Sequence, residues 1–233
     1  LDDAPVYNPS HLLGFFSVFN SDAINSAKLY KGGVPAQFGG RASSVLDITM
    51  RDGNAERFSA TGGIGLISSR LTLEGPIGNN GSTFLLSGRR TYADLFLLFA
   101  KNEELRSSKL FFYDLNLKTH FEIGEKNRLY ISGYLGRDAL KSSSFGFNWG
   151  NKTATVRWLH VFSPKLFSNT SVIYNDYNYN TEADFDFSFN LKAGITGRTF
   201  KQRFTYYAHP NHTLSFGAEL NDYVFKPGSL ELV

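Results

Sequence analysis

Histidine, serine and cysteine are the residues that would most readily do chemistry, and their pattern in this chain is unpromising. His209 and His212 have a spacing that could suit a metal ion, but a competent site needs three or four ligands. The intervening Pro210-Asn211 favours a turn. Serine is abundant, yet no Gly-x-Ser-x-Gly motif is present, and there is no cysteine. We therefore predict no metal, no cofactor and no enzymatic activity.

Charged side chains that alternate with apolar ones are more informative. From Phe111 to Ile123 the period is two, which places Leu115 and Leu117 on one face of a strand and Asp114 and Lys118 on the other. This stretch has the length of a strand that crosses a bilayer, about nine to eleven residues, rather than the five or six of a typical soluble strand. The pattern favours a strand with one apolar and one polar face.

The same period recurs along the chain and predicts about nine strands. They are Phe58–Ile64, Ile67–Pro76, Thr83–Thr91, Phe111–Ile123, Arg128–Arg137, Thr153–Phe162, Leu166–Tyr177, Ala193–Ala208 and Thr213–Phe225. Short turns alternate with longer connectors, which we place at Tyr92–Leu110, Asp138–Lys152 and Tyr177–Ala193. The first connector contains Ala93-Asp94-Leu95-Phe96-Leu97-Leu98-Phe99-Ala100, which predicts a short helix or a hydrophobic hairpin tip. This asymmetry is typical of outer-membrane barrels, whereas a Greek-key sandwich more often mixes its connection lengths.

The sequence before the long strands has a different texture. A break at Arg51–Arg57 divides the chain into two predicted domains, residues 1–54 and residues 55–233. In the first, Ser21 or Asp22 is the predicted cap of a short helix, and strands are expected at Ala27–Lys31 and Ser44–Met50. Glycine pairs between those strands permit positive φ.

Composition excludes some classes and leaves others open. The chain has 22 Phe and 12 Tyr, many near predicted strand ends, where rings would suit a membrane interface. A net charge of +3 without a basic cluster does not indicate nucleic acid. Two alternatives to a membrane protein remain at this point. One is a soluble β-sandwich that binds carbohydrate, and the other is an envelope enzyme that pairs a serine with His120 or His160.

The first 50 residues resemble the plug domain of TonB-dependent outer-membrane transporters, in the form found in Bacteroidetes. Three stretches carry the resemblance: residues 1–20, which begin Leu1-Asp2-Asp3-Ala4-Pro5-Val6, then Leu29-Tyr30-Lys31-Gly32-Gly33-Val34-Pro35-Ala36-Gln37-Phe38-Gly39-Gly40-Arg41 and Ser43-Ser44-Val45-Leu46-Asp47-Ile48. Asp3 stands where the family usually has glycine, so the tight turn there is a point to check. The stretches Gly62–Ile77 and Ser87–Tyr92 resemble the first barrel strands of the same family.

The resemblance implies a fold and a set of signature residues. The expected fold is mainly β, with the C-terminal part of a plug followed by about nine antiparallel strands of a 22-strand transmembrane barrel. We expect such a chain to be a segment of a longer polypeptide. The plug signature, structural and gating, comprises Asp2, Pro5, Gly32, Gly33, Pro35, Gly39, Gly40, Arg41 and Asp47. The candidate lumen-facing residues are Asp114, Lys118, His120, Glu122, Arg203 and Glu219.

The resemblance also implies a function and partners. A nutrient of the siderophore, glycan, peptide or cobalamin class would be moved across the bacterial outer membrane. TonB and its proton-driven inner-membrane motor would supply the energy by pulling on the plug. Outer-membrane lipid and a surface lipoprotein are the other expected partners.

Overall fold

The computed structural model describes residues 1–40, 43–184 and 188–232, and within them the chain is mainly antiparallel β-structure. The N-terminal segment, residues 1–51, has the strands β1 (Ser10–His11), β2 (Phe16–Ser17), β3 (Ile24–Lys31) and β4 (Ser44–Met50). The main sheet follows with β5 (Ser59–Ile64), β6 (Ser68–Ile77), β7 (Ser82–Thr91), β8 (Lys109–Ile123), β9 (Asn127–Lys141), β10 (Phe145–Ser163), β11 (Leu166–Asp184), β12 (Ser188–His209) and β13 (His212–Leu232). The prediction of a mainly β, antiparallel chain is confirmed.

The main sheet is a meander, because each strand pairs with its neighbours in sequence from β5 to β13. Its described residues form nine strands, the number that the alternation predicts. At one end of the sheet the strands are joined by tight turns, such as Gly78–Gly81 and Gly124–Lys126. These turns lie between the predicted strands, where the sequence predicts short connections. β5 and β13 form the two edges of the sheet.

At the opposite end, two of the predicted long connectors are wrong. Residues 138–152 form mostly strand, since β9 continues to Lys141 and β10 begins at Phe145. Residues 177–193 likewise extend β11 and β12, apart from residues 185–187, which lie outside the described part. In these extensions the two-residue alternation continues but changes phase: aromatic residues such as Trp149 and Tyr177 share a face with the buried Asn151, and polar residues such as Asn148 and Asn178 lie on the opposite face. The apolar face of each strand therefore ends before the strand does, which is why the sequence pattern predicted loops there.

The remaining predicted connector, Tyr92–Leu110, has no strand before β8 begins at Lys109. It contains helices α1 (Ala93–Leu97) and α2 (Glu103–Ser107), so the predicted short helix in this region is confirmed. Both helices have only five residues. In the described part of the chain, no helix is both long enough and apolar enough to cross a membrane.

The N-terminal segment is made of two small strand pairs and three turns of 3-10 helix, at Leu12–Gly14, Ser21–Ala23 and Ala36–Phe38. β1 pairs with β2, and β3 pairs with β4. The predicted helix start near Ser21 is present, but its cap is Asn20, whose side chain accepts a hydrogen bond from the Asp22 backbone N–H. Asn20 is itself buried against the main sheet, so tertiary contact selects the cap.

The two faces of the main sheet have opposite character. On one face, polar side chains such as Asp114, Asn116 and Lys118 are buried beneath the N-terminal segment, each at most 2% exposed. On the other face, apolar side chains such as Leu115 and Leu117 are more than 40% exposed. We call these the covered face and the outer face. This arrangement is the reverse of a soluble sheet, which buries its apolar face.

The outer face carries an unbroken apolar row. Ile131, Val156, Val172, Phe200 and Leu220 are paired in register across β9 to β13. Their exposure lies between 37% and 70%. Apolar packing on the covered side is modest by comparison, with Ala23, Met50 and Leu85 in one small cluster.

Candidate functional site

The candidate site is the contact between the N-terminal segment and the covered face of the main sheet. It joins residues that are far apart in the chain: the Tyr7 backbone N–H donates to Asn151 Oδ1 at 3.2 Å, across 144 residues. Near the far edge, Lys201 Nζ donates to the Gln37 carbonyl oxygen at 3.1 Å. Three polar clusters make up most of this contact, and the strand alternation places each on the covered face.

The first cluster, the His11 cluster, holds an imidazole between two carboxylates. His11 Nε2 lies 2.6 Å from Asp114 Oδ1, and His11 Nδ1 lies 2.5 Å from Asp138 Oδ2. The sheet register explains the spacing: Asp114 pairs with Gly136, so Asp138 is its diagonal neighbour on β9. Diagonal positions are about 7–8 Å apart, which leaves room for a ring between the two side chains.

Further hydrogen bonds complete the His11 cluster. Arg89 donates to Asp114 Oδ2 through Nε at 2.8 Å, and Tyr134 donates its hydroxyl to Asp114 Oδ1 at 2.8 Å. Asp138 also accepts the Leu12 backbone N–H at 2.8 Å. The His11 ring stacks on Phe112 with centroids 4.1 Å apart. Two carboxylates therefore face two cationic groups, provided that the imidazole is protonated.

The electrostatics of the cluster favour that protonated state. Burial lowers the pKa of His11, but the hydrogen bonds to Asp114 and Asp138 and their negative charges raise it by more. The net pKa of His11 lies above its ordinary value of 6.5. Because both ring nitrogens already contact carboxylates and the residue is 1% exposed, His11 has no nitrogen free to bind a metal or to serve as a general base. Its chemistry here is to hold the N-terminal segment on the sheet.

Gly136 allows the Tyr134 ring to reach this cluster. A Cβ at Gly136 would lie 3.2 Å from Tyr134 Cε1 and closer still to the phenol oxygen. A side chain there would push the ring away from Asp114. The glycine is therefore a requirement of close approach rather than of backbone conformation.

The second cluster, the Lys118 cluster, surrounds a buried ammonium group. Lys118 Nζ donates to the Met50 carbonyl oxygen at 2.8 Å and lies 2.8 Å from Asp52 Oδ1 and 3.2 Å from Asp2 Oδ2. Lys118 is 1% exposed, so these three oxygens take the place of water around it. Asp2 also accepts the Met50 backbone N–H at 3.0 Å. The start of the segment and its last strand are thus fixed to β8 by one lysine.

Two further contacts lie beside the Lys118 cluster. Arg51 donates through Nη2 to both carboxylate oxygens of Glu74 at 2.8 Å, so one nitrogen of the ion pair contacts both oxygens. Asn20 Nδ2 donates to Ser87 Oγ at 2.8 Å, and Ser87 in turn shares a hydrogen bond with Thr72. The segment therefore contacts β6 and β7 as well as β8.

The third cluster, the Lys201 cluster, lies toward the far edge of the sheet. Lys201 Nζ is 3.4 Å from Glu219 Oε2 and 3.8 Å from Asp3 Oδ1. Arg203 donates to Gln37 Oε1 at 2.7 Å. These contacts tether the loop around Gln37 to β12.

The predicted lumen-facing residues divide between these clusters and the turn end of the sheet. Asp114 and Lys118 are at the centres of two clusters, and Arg203 and Glu219 belong to the third. His120 and Glu122 lie toward the tight turns, where they are 3.2 Å apart and Glu122 also pairs with Arg128. That all six line a barrel lumen stays a prediction.

The signature residues of the N-terminal segment have mainly backbone roles. Gly32, Gly33 and Gly40 have positive φ, whereas Gly39 has φ −54°, which other residues adopt. Pro35 precedes the 3-10 helix at Ala36, and Pro5 is half-buried. Asp47 lies opposite Lys28 in the β3–β4 pair. Asp2 belongs to the Lys118 cluster, and Arg41 lies outside the described residues. The turn that Asp3 put in question is formed, with φ +46° at Asp2 and +70° at Asp3.

Several residues of the site were not singled out from the sequence, namely His11, Arg51, Asp52, Glu74, Arg89, Tyr134 and Asp138. Asp138 shows a signal in retrospect, because it continues the phase of Tyr134 and Gly136 into the predicted loop. His11 shows none, since its partners are more than 100 residues away.

The described residues contain no group of three or more His, Asp or Glu side chains arranged to hold a metal ion. His209 and His212 face each other across an exposed turn with ring centroids 5.7 Å apart. No family model, curated protein or solved structure matches this chain at a significant level.

Proposed function

We propose that this chain is part of a TonB-dependent transporter of the bacterial outer membrane, with the N-terminal segment as plug and the main sheet as barrel wall. The observation that carries the proposal is the inversion of the sheet: its polar face is buried under the segment, and its apolar face is exposed. An exposed apolar row of five side chains across five strands is far larger than the scattered apolar residues of a soluble surface. Hydrocarbon is the environment that such a face suits.

The position of the apolar band also favours tilted strands. Residues that are paired in register on neighbouring strands form a row across the sheet. The row that contains Leu115 on β8 and Leu135 on β9 continues with polar residues, Lys152 on β10 and Asp176 on β11. The apolar band therefore moves along the strands, toward the tight turns, as the sheet proceeds from β8 to β13. Strands of membrane barrels tilt by about 35–45°, and a level hydrocarbon slab cuts tilted strands in this stepped way.

The proposal requires the sheet to be part of a closed barrel. The edges of β5 and β13 present unpaired backbone groups, which hydrocarbon does not tolerate. We propose that further strands of a longer polypeptide cover both edges. A soluble carbohydrate-binding sandwich would instead place a second sheet over the apolar face, and within the described residues no second sheet lies there.

The three clusters suit a gate that is held firmly and can still be released. Each is built from ion pairs and hydrogen bonds rather than from interlocked apolar side chains, so water can replace the contacts when the segment moves. In this proposal the nutrient binds from outside, TonB pulls the plug, and no bond of the substrate is broken.

A reversible disulfide between the segment and the sheet tests the gating role. Because the chain has no cysteine of its own, only the introduced pair can form this bond. The pair Asn20→Cys and Ser87→Cys would join the segment to β7, since the two side chains are in hydrogen-bond contact. The control pair Thr72→Cys and Ser87→Cys lies within the main sheet and is also in side-chain contact. Both are introduced into the complete polypeptide in cells whose growth on a limiting nutrient depends on this gene.

The proposal predicts that oxidation stops growth only with the Asn20–Ser87 tether and that a reductant restores it. Growth that continues with the Asn20–Ser87 disulfide shown to be formed would contradict a moving plug. A protein that leaves the membrane fraction on alkaline washing would contradict the transporter assignment altogether.

A further inference from the structure

An open groove of about 1010 Å³ lies on the outer face near the start of the main sheet. Its floor follows one row of residues paired in register, in which glycine and leucine alternate from β5 to β8 and a second leucine follows on β9. The row is Gly62, Leu71, Gly88, Leu115 and Leu135. Because the two glycines have no side chains, the backbone of β5 and β7 forms the floor between leucine walls.

A cationic rim borders this groove on the side away from the tight turns. The next outer-face row contains Arg90, Tyr113 and Arg137 on three adjacent strands. The two arginines are therefore two strand spacings apart, about 10 Å. Both are exposed. The Arg90 guanidinium lies over the Phe111 ring at 5.5 Å, and Arg137 donates to Asn148 Oδ1 at 3.3 Å.

The rim carries uncompensated positive charge. Among the described residues, neither Arg90 nor Arg137 has a carboxylate within ion-pair distance. Arg198, also on the outer face, differs in this respect because it is paired with Asp222 at 3.6 Å. Two unpaired guanidinium groups beside an apolar groove fit an amphiphile with an anionic head.

We propose that this groove binds one lipid with an anionic phosphorylated headgroup, its acyl chain along Leu71, Gly88 and Leu115 and its phosphate between Arg90 and Arg137. The inference rests on the proposed function, since it requires the outer face to lie in a membrane. The groove has the size of sites that hold drug-sized ligands, and its walls are apolar where the chain would lie. Guanidinium groups bind phosphate oxygens in bidentate fashion, which fixes the headgroup at the rim.

Native mass spectrometry of the complete polypeptide in detergent tests the site. The probes are phosphatidylglycerol and phosphatidylcholine with identical acyl chains. Wild type is expected to retain one phosphatidylglycerol more strongly than phosphatidylcholine. The double variant R90Q/R137Q is expected to bind that phosphatidylglycerol at least about tenfold more weakly, since it loses the charge-assisted hydrogen bonds to the phosphate.

Two other variants separate a specific site from general attraction. R198Q removes an outer-face arginine elsewhere and is expected to leave retention unchanged. Gly88→Leu fills the floor and is expected to weaken both lipids. Its new side chain would point into the groove, where the nearest neighbour of a Cβ is Leu115 Cδ1 at 3.8 Å.

Equal retention of the two lipids by wild type, or an R90Q/R137Q variant as competent as R198Q, would overturn the lipid site. That result leaves the proposed function standing as long as the protein remains in the membrane after alkaline washing. A protein released by that wash would remove the basis of both.

Discussion

His11 and Asp114 lie 103 residues apart in the chain, yet their side chains are in direct contact, with Nε2 2.6 Å from Oδ1. Asp138 contacts the other ring nitrogen, so the imidazole connects the N-terminal segment to two strands at once. This contact makes the docking of the segment depend on the protonation of one histidine.

The first prediction concerns pH. Because the pKa of docked His11 is raised above 6.5, its stabilisation is fully present below that value and is lost as pH rises through the raised pKa. Docking of residues 8–22 should therefore be tighter at pH 6 than at pH 9. Hydrogen exchange of that stretch, corrected for the intrinsic effect of pH, measures it. H11Q should abolish the dependence, and H209Q, at an exposed turn, should retain it. A dependence that survives in H11Q would contradict this role.

The second prediction concerns the buried lysine. Lys118→Met removes the ammonium and leaves Asp2 and Asp52 without their partner, a loss of about 3–5 kcal/mol for a buried pair. Exchange protection at Met50 should fall by at least a hundredfold. Lys152→Met, at an exposed position, is the matched control and should change little. Equal protection in the two variants would show that Lys118 does not hold the segment.

The third prediction concerns the junction between the segment and the sheet. Gly53 has φ +92°, and a Cβ there would lie 2.9 Å from the Phe84 carbonyl carbon. Gly78 also has positive φ, +70°, but a Cβ there would have no neighbour within 4 Å. Gly53→Ala should therefore lower the thermal midpoint more than Gly78→Ala, since only the first adds a clash to the cost of about 1–2 kcal/mol for positive φ. Equal decreases in the thermal midpoint would contradict this prediction, because they would mean that the Phe84 backbone moves away from the added Cβ at no cost.

Part of the fold and of the site could be predicted from the sequence alone. The long alternation around Leu115 and Leu117 predicted both the strand and the opposite character of its faces, because a side-chain period of two is a property of every strand. It failed around Asn148 and Asn178, where the polar residues move to the outer face and aromatic residues such as Trp149 take the covered face, so the phase of the alternation reverses. The sequence predicted only part of the Lys118 cluster, since it indicated Lys118 as a candidate residue and did not indicate Asp52. The His11 cluster depended on strand register, which one sequence without a partner strand does not reveal.

The fourth prediction concerns the turn at Asp3. Asp3 has φ +70°, and the family that the sequence resembles usually has glycine at this position. Asp3→Gly removes the strain of positive φ but also the 3.8 Å pair with Lys201. An ion pair this long is weak, so the variant should be more stable than wild type by up to about 1 kcal/mol. Asp3→Ala loses the pair and keeps a Cβ, and it should be less stable than wild type. Chemical denaturation compares the three, and a Gly variant no more stable than Ala would contradict strain at this turn.

The central claim is that the outer face of the main sheet contacts lipid, and labels at two adjacent residues test it most directly. Phe216 is on the outer face and 58% exposed, and Ser215 is exposed on the opposite side of the same strand. The complete polypeptide with a single cysteine at either position is labelled with bimane and placed in vesicles that contain bromine-labelled lipid. We predict that lipid quenches the label at 216 and that aqueous iodide quenches the label at 215. Strong iodide quenching at both positions with no lipid quenching at 216 would contradict the account.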